Sequence, residues 1–122
     1  VLSKLARNHT ETIRRIPMRT LEFTVDCQKV RKKSDCDFSG IVAGSVGFLR
    51  AKFYFSQEWS NCKKAASFWV ESQEYSVLLD ENDSCTIPAE ALSTERFEVS
   101  VTGAKRGYKT ATNKTKVRQE VQ

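Results

Sequence analysis

Residues 53–69, "FYFSQEWSNCKKAASFW", pass from aromatic to polar to basic and back to aromatic. Phe53 and Phe55 before the break, and Ala66, Phe68 and Val70 after it, recur at every second position. That is the period of a strand with one buried face, whereas a helix would space its apolar residues three and four apart. The stretch therefore reads as two strands joined at a tight corner. Phe55 ends the first strand, Ser56 can cap a single turn, and Trp59 folds its ring over the open end of the core. Lys63 and Lys64 resume at the solvent edge of the next strand. A catalytic loop or a partner-binding loop could share this composition, but a buried Trp at a corner supplies much of the stability of a small core.

The same period extends outward in both directions. Leu21, Phe23, Val25 and Cys27 alternate with Glu22, Thr24 and Asp26, and an edge strand is expected around Val30. Residues 41–55, "IVAGSVGFLRAKFYF", are strongly apolar, with Gly44 and Gly47 fitting a bend or break before Leu49, Ala51, Phe53 and Phe55 share a face. Tyr75, Val77 and Leu79 form the strand after Val70, close enough to make a hairpin through Ser72-Gln73. Cys85 and Ile87 begin another strand, and Pro88 opens a single helical turn in "PAEAL" that folds Leu92 beneath the core. Phe97, Val99 and Val101 point inward from "RFEVSV"; "TGAKRG" reads as a loop, followed by one polar strand over residues 108–117. About seven short strands without a long amphipathic helix predict an all-β, antiparallel sandwich or small barrel. Its expected core includes Phe53, Phe55, Trp59, Phe68, Pro88 and Phe97.

The chain's 122 residues suit one domain, read as residues 20–122, preceded by a basic arm over residues 1–19. No apolar run approaches the length needed to cross a bilayer, so no membrane partner is expected. The net charge of +5 is unevenly placed: +6 over residues 1–33, −6 over 34–99 and +5 over 100–122. Segregation of this kind concerns partners and solubility more than fold.

Signals for chemistry are few. The four cysteines, Cys27, Cys36, Cys62 and Cys85, contain no C-x-x-C pair, which argues against structural zinc; buried free thiols are favoured at Cys27 and Cys85. His9 has no partner arrangement that would make it a base or ligand, and no phosphate loop, G-x-S-x-G or H-E-x-x-H motif occurs. Residues 80–84, "DENDS", fail as an EF-hand because Cys85 stands where Gly is needed and Ala91 where Glu is needed. Sequons at Asn8, Asn82 and Asn113 weigh mildly towards secretion. No enzyme activity and no cofactor is expected.

The basic residues Arg7, Arg14, Arg15, Arg19, Arg31, Lys32 and Lys33, with Lys29 beside them, could grip an acidic protein face. Nucleic-acid readers add exposed aromatic platforms to such charge. Residues 1–33 offer only Phe23, which alternation places in the core, so protein docking is favoured over nucleic acid.

The order of "FLRAKFYFSQEWSNCKKAASFW", "YSVLLDENDSCTIPAEAL", "FEVSVTG" and "TNKTKVRQ" over residues 48–118 resembles the small Ig-like β-sandwich domain of bacteriophage tail, baseplate and head-fibre proteins from Gram-positive hosts. The resemblance implies an Ig-like fold and a virion location. It implies a structural role anchoring a fibre, baseplate component or decoration to capsid, tail or baseplate subunits. A stand-alone accessory or connecting protein, with the arm lying on a neighbouring subunit, is the favoured form, and a homo-oligomer is compatible with it. The alternatives are a secreted Ig-like adhesion or carbohydrate-binding domain with disulfides, and a nucleic-acid-binding accessory protein. Cys27 lacks the Trp a dozen residues on, and Cys85 the Tyr two residues before, that a true immunoglobulin domain carries.

Overall fold

The computed structural model describes residues 19–44 and 49–120. The strands among the described residues are β1 (Arg19–Asp26), β2 (Lys29–Lys32), β3 (Leu49–Phe55), β4 (Lys63–Val70), β5 (Gln73–Leu78), β6 (Ser84–Thr86), β7 (Arg96–Lys105), β8 (Tyr108–Ala111) and β9 (Thr115–Arg118). They form two sheets, one in the order β2-β1-β3-β6 and one in the order β5-β4-β7-β8, with β9 also pairing β7. The chain is an all-β sandwich, as the period-two alternation predicts.

The inner faces supply the core. From the first sheet come Leu21, Phe23, Val25, Ala51 and Phe53; from the second come Ala66, Phe68, Phe97, Val99, Val101 and Val117, all buried. Phe23 and Phe53 face each other across neighbouring strands and stack with ring centroids 5.2 Å apart. Trp59 closes one end from a 3-10 turn, Gln57–Trp59, and is 1% exposed. Its indole Nε1 donates to the Cys27 carbonyl at 2.8 Å, so the polar edge of the ring is satisfied where the β1–β2 turn passes over it. The helical turn expected after Pro88 is present as Ala91–Ser93, with Leu92 fully buried.

Several expectations need correction. The sheets are not purely antiparallel: β1 and β3 pair in parallel, from Arg19 opposite Leu49 to Val25 opposite Phe55. The cause is the route of the chain. The β1–β2 hairpin ends on one side of β1, and β3 comes in on the other. The crossing between β2 and β3 is pinned at Arg19, whose Nη2 donates to the carbonyls of Asp37 and Ser39, and by Phe38 packing edge-on against Phe23 at 5.4 Å. Arg19 is thus the first residue of the sandwich, not the last of an arm.

Residues 102–105 are not a loop but the end of β7, and the turn falls at Arg106-Gly107, with Gly107 at φ +72°. The single polar strand expected over residues 108–117 is two, β8 and β9, both on the same side of β7. Between them Asn113 leaves the sheet: its N–H donates to Gln28 O at 3.2 Å and its Oδ1 accepts from Val30 N–H at 2.9 Å. The break in the strand thus links the second sheet to the β1–β2 hairpin of the first. Glu71 and Ser72 turn the β4–β5 hairpin, one residue earlier than expected, with Glu71 at φ +57°.

Of the expected core, Phe53, Trp59, Phe68 and Phe97 are buried, but Phe55 and Pro88 are half-buried. Phe55 lies at the rim, its ring 5.2 Å from Trp59 and its outer face covered by the Lys64 ammonium at 4.8 Å. Pro88 starts the 3-10 turn at the surface, its carbonyl accepting from Ala91 N–H. Cys27 is not a buried strand residue; the strand ends at Asp26, and Cys27 is exposed in the turn at φ +54°.

Candidate partner-binding face

Alternation along β1, β2 and β3 turns one set of side chains away from the core. Arg31 lies opposite Thr24, and Lys33 follows it on the same face, its N–H donating to Glu22 O. Parallel pairing of β1 with β3 then sets Arg50, Lys52 and Tyr54 beside Thr20, Glu22 and Thr24. At the centre is Tyr54, 42% exposed. The ammonium groups of Lys33 and Lys52 lie 5.4 and 5.3 Å from its ring centroid, and its hydroxyl donates to Glu22 Oε2 at 2.6 Å. That hydrogen bond to a carboxylate raises the phenol above its ordinary value.

The flanking charges are held in place. Lys33 pairs with Asp35, which raises the amine and lowers the carboxyl. Arg50 reaches Asp80 at 3.2 Å, and Lys52 donates to the Asn82 carbonyl. Asp80 also accepts from the N–H groups of Ser84 and Asn82, and these bonds, Ser84 first, hold its carboxyl below the usual range. Asp83 is taken by Lys64 at 3.1 Å. The acidic turn is therefore an anchor for the basic face. Among the described residues no group of three or more His, Cys, Asp or Glu side chains could hold a metal ion.

The residues singled out as basic docking candidates divide. Arg7, Arg14, Arg15 and His9 lie outside the described residues. Arg19 is used within the fold. Lys32 sits apart from Arg31 and Lys33, with its ammonium 5.6 Å from the Phe38 ring. Arg31 and Lys33 join the face, and so does Lys29, which lies opposite Asp26 on the same outward side. Its other members, Arg50, Lys52, Tyr54 and Glu22, were readable as outward positions of two strands. The parallel register that brings them together leaves no mark in either strand alone.

At the Trp59 corner, Cys27 N–H donates to Ser56 Oγ at 3.0 Å, so the Ser56 side chain serves the neighbouring turn and does not cap the 3-10 turn. The Cys27 thiol donates to Glu58 Oε2 at 2.8 Å. Retaining that proton beside a carboxylate pushes the thiol up and the carboxyl down. A thiol raised in this way is a poor nucleophile at neutral pH. All four cysteines are free, and burial pushes Cys85 up to about 12. No family model, curated protein or solved structure matches the chain.

Proposed function

We propose that this chain is a non-enzymatic structural domain of a bacteriophage particle that docks on neighbouring virion subunits through its basic N-terminal segment and the outward face of its four-stranded sheet. One observation carries the docking part of this reading: Tyr54 is clamped between Lys33 and Lys52 with its hydroxyl fixed by Glu22. An aromatic ring whose neighbours are already ordered loses little side-chain freedom on binding, a property of residues that anchor interfaces. The cations beside it fit carboxylate-rich protein surface. A nucleobase would have to displace the two ammonium groups to stack on the ring, whereas a carboxylate approaches them as they stand. The phage assignment rests on the resemblance over residues 48–118.

The experiment is to look for the chain in purified particles by mass spectrometry and to compare incorporation of the full chain with Lys33→Glu/Lys52→Glu and with a form lacking residues 1–18. Reduced incorporation of folded variants supports the reading. Full incorporation of all forms, or absence of the chain from particles, overturns it. Salt-dependent retention of DNA or RNA at low salt, lost in the same variants, would move the assignment to nucleic acid.

A further inference from the structure

A sheet edge is a row of backbone donors and acceptors, and three of the edges in this fold are protected. The edge at β2 carries Lys29, Arg31 and Lys32, and its Val30 N–H is taken by Asn113. β6 is three residues long, between the Asp80 turn and Pro88. The edge formed by β8 and β9 is interrupted at residues 112–114 and carries Lys109, Lys116 and Arg118. Short strands, breaks and cations are the usual means of keeping edges from pairing. β5, "QEYSVL", has none of them: six uninterrupted residues, no Pro, no Lys or Arg, and Glu74 as its one charge.

The register defines what this edge presents. β4 and β5 pair antiparallel, with Ala65 opposite Leu78 and Ala66 opposite Val77, and Leu79 N–H donates to Lys64 O. Hydrogen bonding alternates along an antiparallel pair. Residues 75, 77 and 79 therefore turn their backbone groups to β4, and Glu74, Ser76 and Leu78 turn theirs away. Among the described residues nothing takes these groups up. Leu78 is also 76% exposed, a large apolar side chain at the end of the open row.

We propose that β5 is a self-pairing edge, joining two copies of this chain antiparallel about a two-fold axis at Ser76. In that register Ser76 faces Ser76 of the other copy and Glu74 faces Leu78. Each outward N–H meets an outward C=O, and the inner-face residues Tyr75 and Val77 oppose each other, an aromatic–β-branched pair of the kind that stabilises sheets. Registers displaced by two strand positions are worse. One sets Glu74 against Asp80, and the other exposes one end of the row. A further displacement sets Glu74 against Glu74. Over residues 72–80 the chosen register alone opposes no like charges and covers both copies of Leu78. It stands apart from the docking role, since the basic face lies on the other sheet.

The test is sedimentation equilibrium of the full chain. A dimer with Kd tighter than about 1 mM is expected. Ser76→Pro should return a monomer with an unchanged circular dichroism spectrum, because its N–H is unused within the fold and Pro is tolerated on such an edge. Leu78→Glu, at an exposed position, should weaken association at least tenfold by facing Glu74. Glu74→Lys added to Leu78→Glu should restore it by putting opposite charges face to face. A chain that stays monomeric throughout, or a dimer indifferent to all these changes, overturns the proposal. If Ser76→Pro fails to fold, the charge pair still decides.

Discussion

Adding one methyl group at Gly103 should destabilise the domain, and the effect should vanish when Trp59 is gone. Gly103 lies in β7 opposite Lys64 of β4. A Cβ there would come 2.7 Å from Cζ3 and 2.8 Å from Cε3 of Trp59, and 3.4 Å from Cys62 Cβ. The indole cannot swing aside, since it is 1% exposed, tethered by Nε1 to Cys27 O and in contact with Phe55 at 5.2 Å. Overpacking of this kind costs about 1–3 kcal/mol. Trp59→Leu, which removes the ring edge, should itself cost about 3 kcal/mol through the lost burial and the cavity left behind. In that background Gly103→Ala should be close to neutral. The coupling between the two sites is then about 1–3 kcal/mol, well above the additivity error for separated sites. Urea denaturation followed by far-ultraviolet circular dichroism measures all four corners of the cycle. Equal costs of Gly103→Ala in both backgrounds would refute the argument that Gly103 exists to seat the ring.

Asn113→Ala should cost about 1–3 kcal/mol in the same assay, because it leaves the N–H of Val30, a residue 1% exposed, without its acceptor. Mass spectrometry after alkylation of the denatured chain should count four free thiols; in the native chain Cys85 should stay unmodified, and Glu58→Gln should speed modification of Cys27 by removing the charge that opposes its ionisation. Two disulfides would restore the secreted alternative. Asp80 has a folded value below its ordinary 3.8, so its stabilising contribution is complete above that value and is lost as pH falls through the depressed one. Asp80→Asn, which keeps an acceptor for the turn but not the charge, should lose less stability than the parent as pH falls through the ordinary value and on through the depressed one.

The legible part of the fold was what alternation encodes. The inward residues Leu21, Phe23 and Val25 of β1, Ala51 and Phe53 of β3, Ala66 and Phe68 of β4 and Phe97, Val99 and Val101 of β7, with the corner at Trp59 and the turn after Pro88, followed from neighbours in sequence. Strand partners did not, because a strand's pattern states which face is buried and not which strand lies beside it. The parallel pairing of β1 and β3 depends on the crossing between β2 and β3, whose anchors include the Arg19 guanidinium, the Phe38 ring and the backbone bonds of Ile41 and Ala43 with Glu120. Gly103 misled for a related reason. Glycine near Lys and Arg ordinarily signals a turn, and its actual cause, a Trp ring more than forty positions earlier, has no local trace. Cys27 looked apolar by register, but the strand ended one residue before it.

The same limit governs the charges. Read linearly, the chain has a basic start, an acidic middle and a basic end, which suggests separate regions of opposite sign. Folding mixes them. Arg31 and Lys33 from the first block share a face with Arg50 and Lys52 from the acidic block, while Lys116 of the last block lies opposite Glu98 of the middle one. The acidic turn contributes Asp80 to hold Arg50 and Asp83 to hold Lys64. A protein surface binds by what is adjacent in space, and at about 10 Å of screening in ordinary salt only such neighbours act together. For the proposed docking, the charge that counts is therefore that of the Tyr54 face, assembled by a parallel pairing from two blocks of opposite net sign.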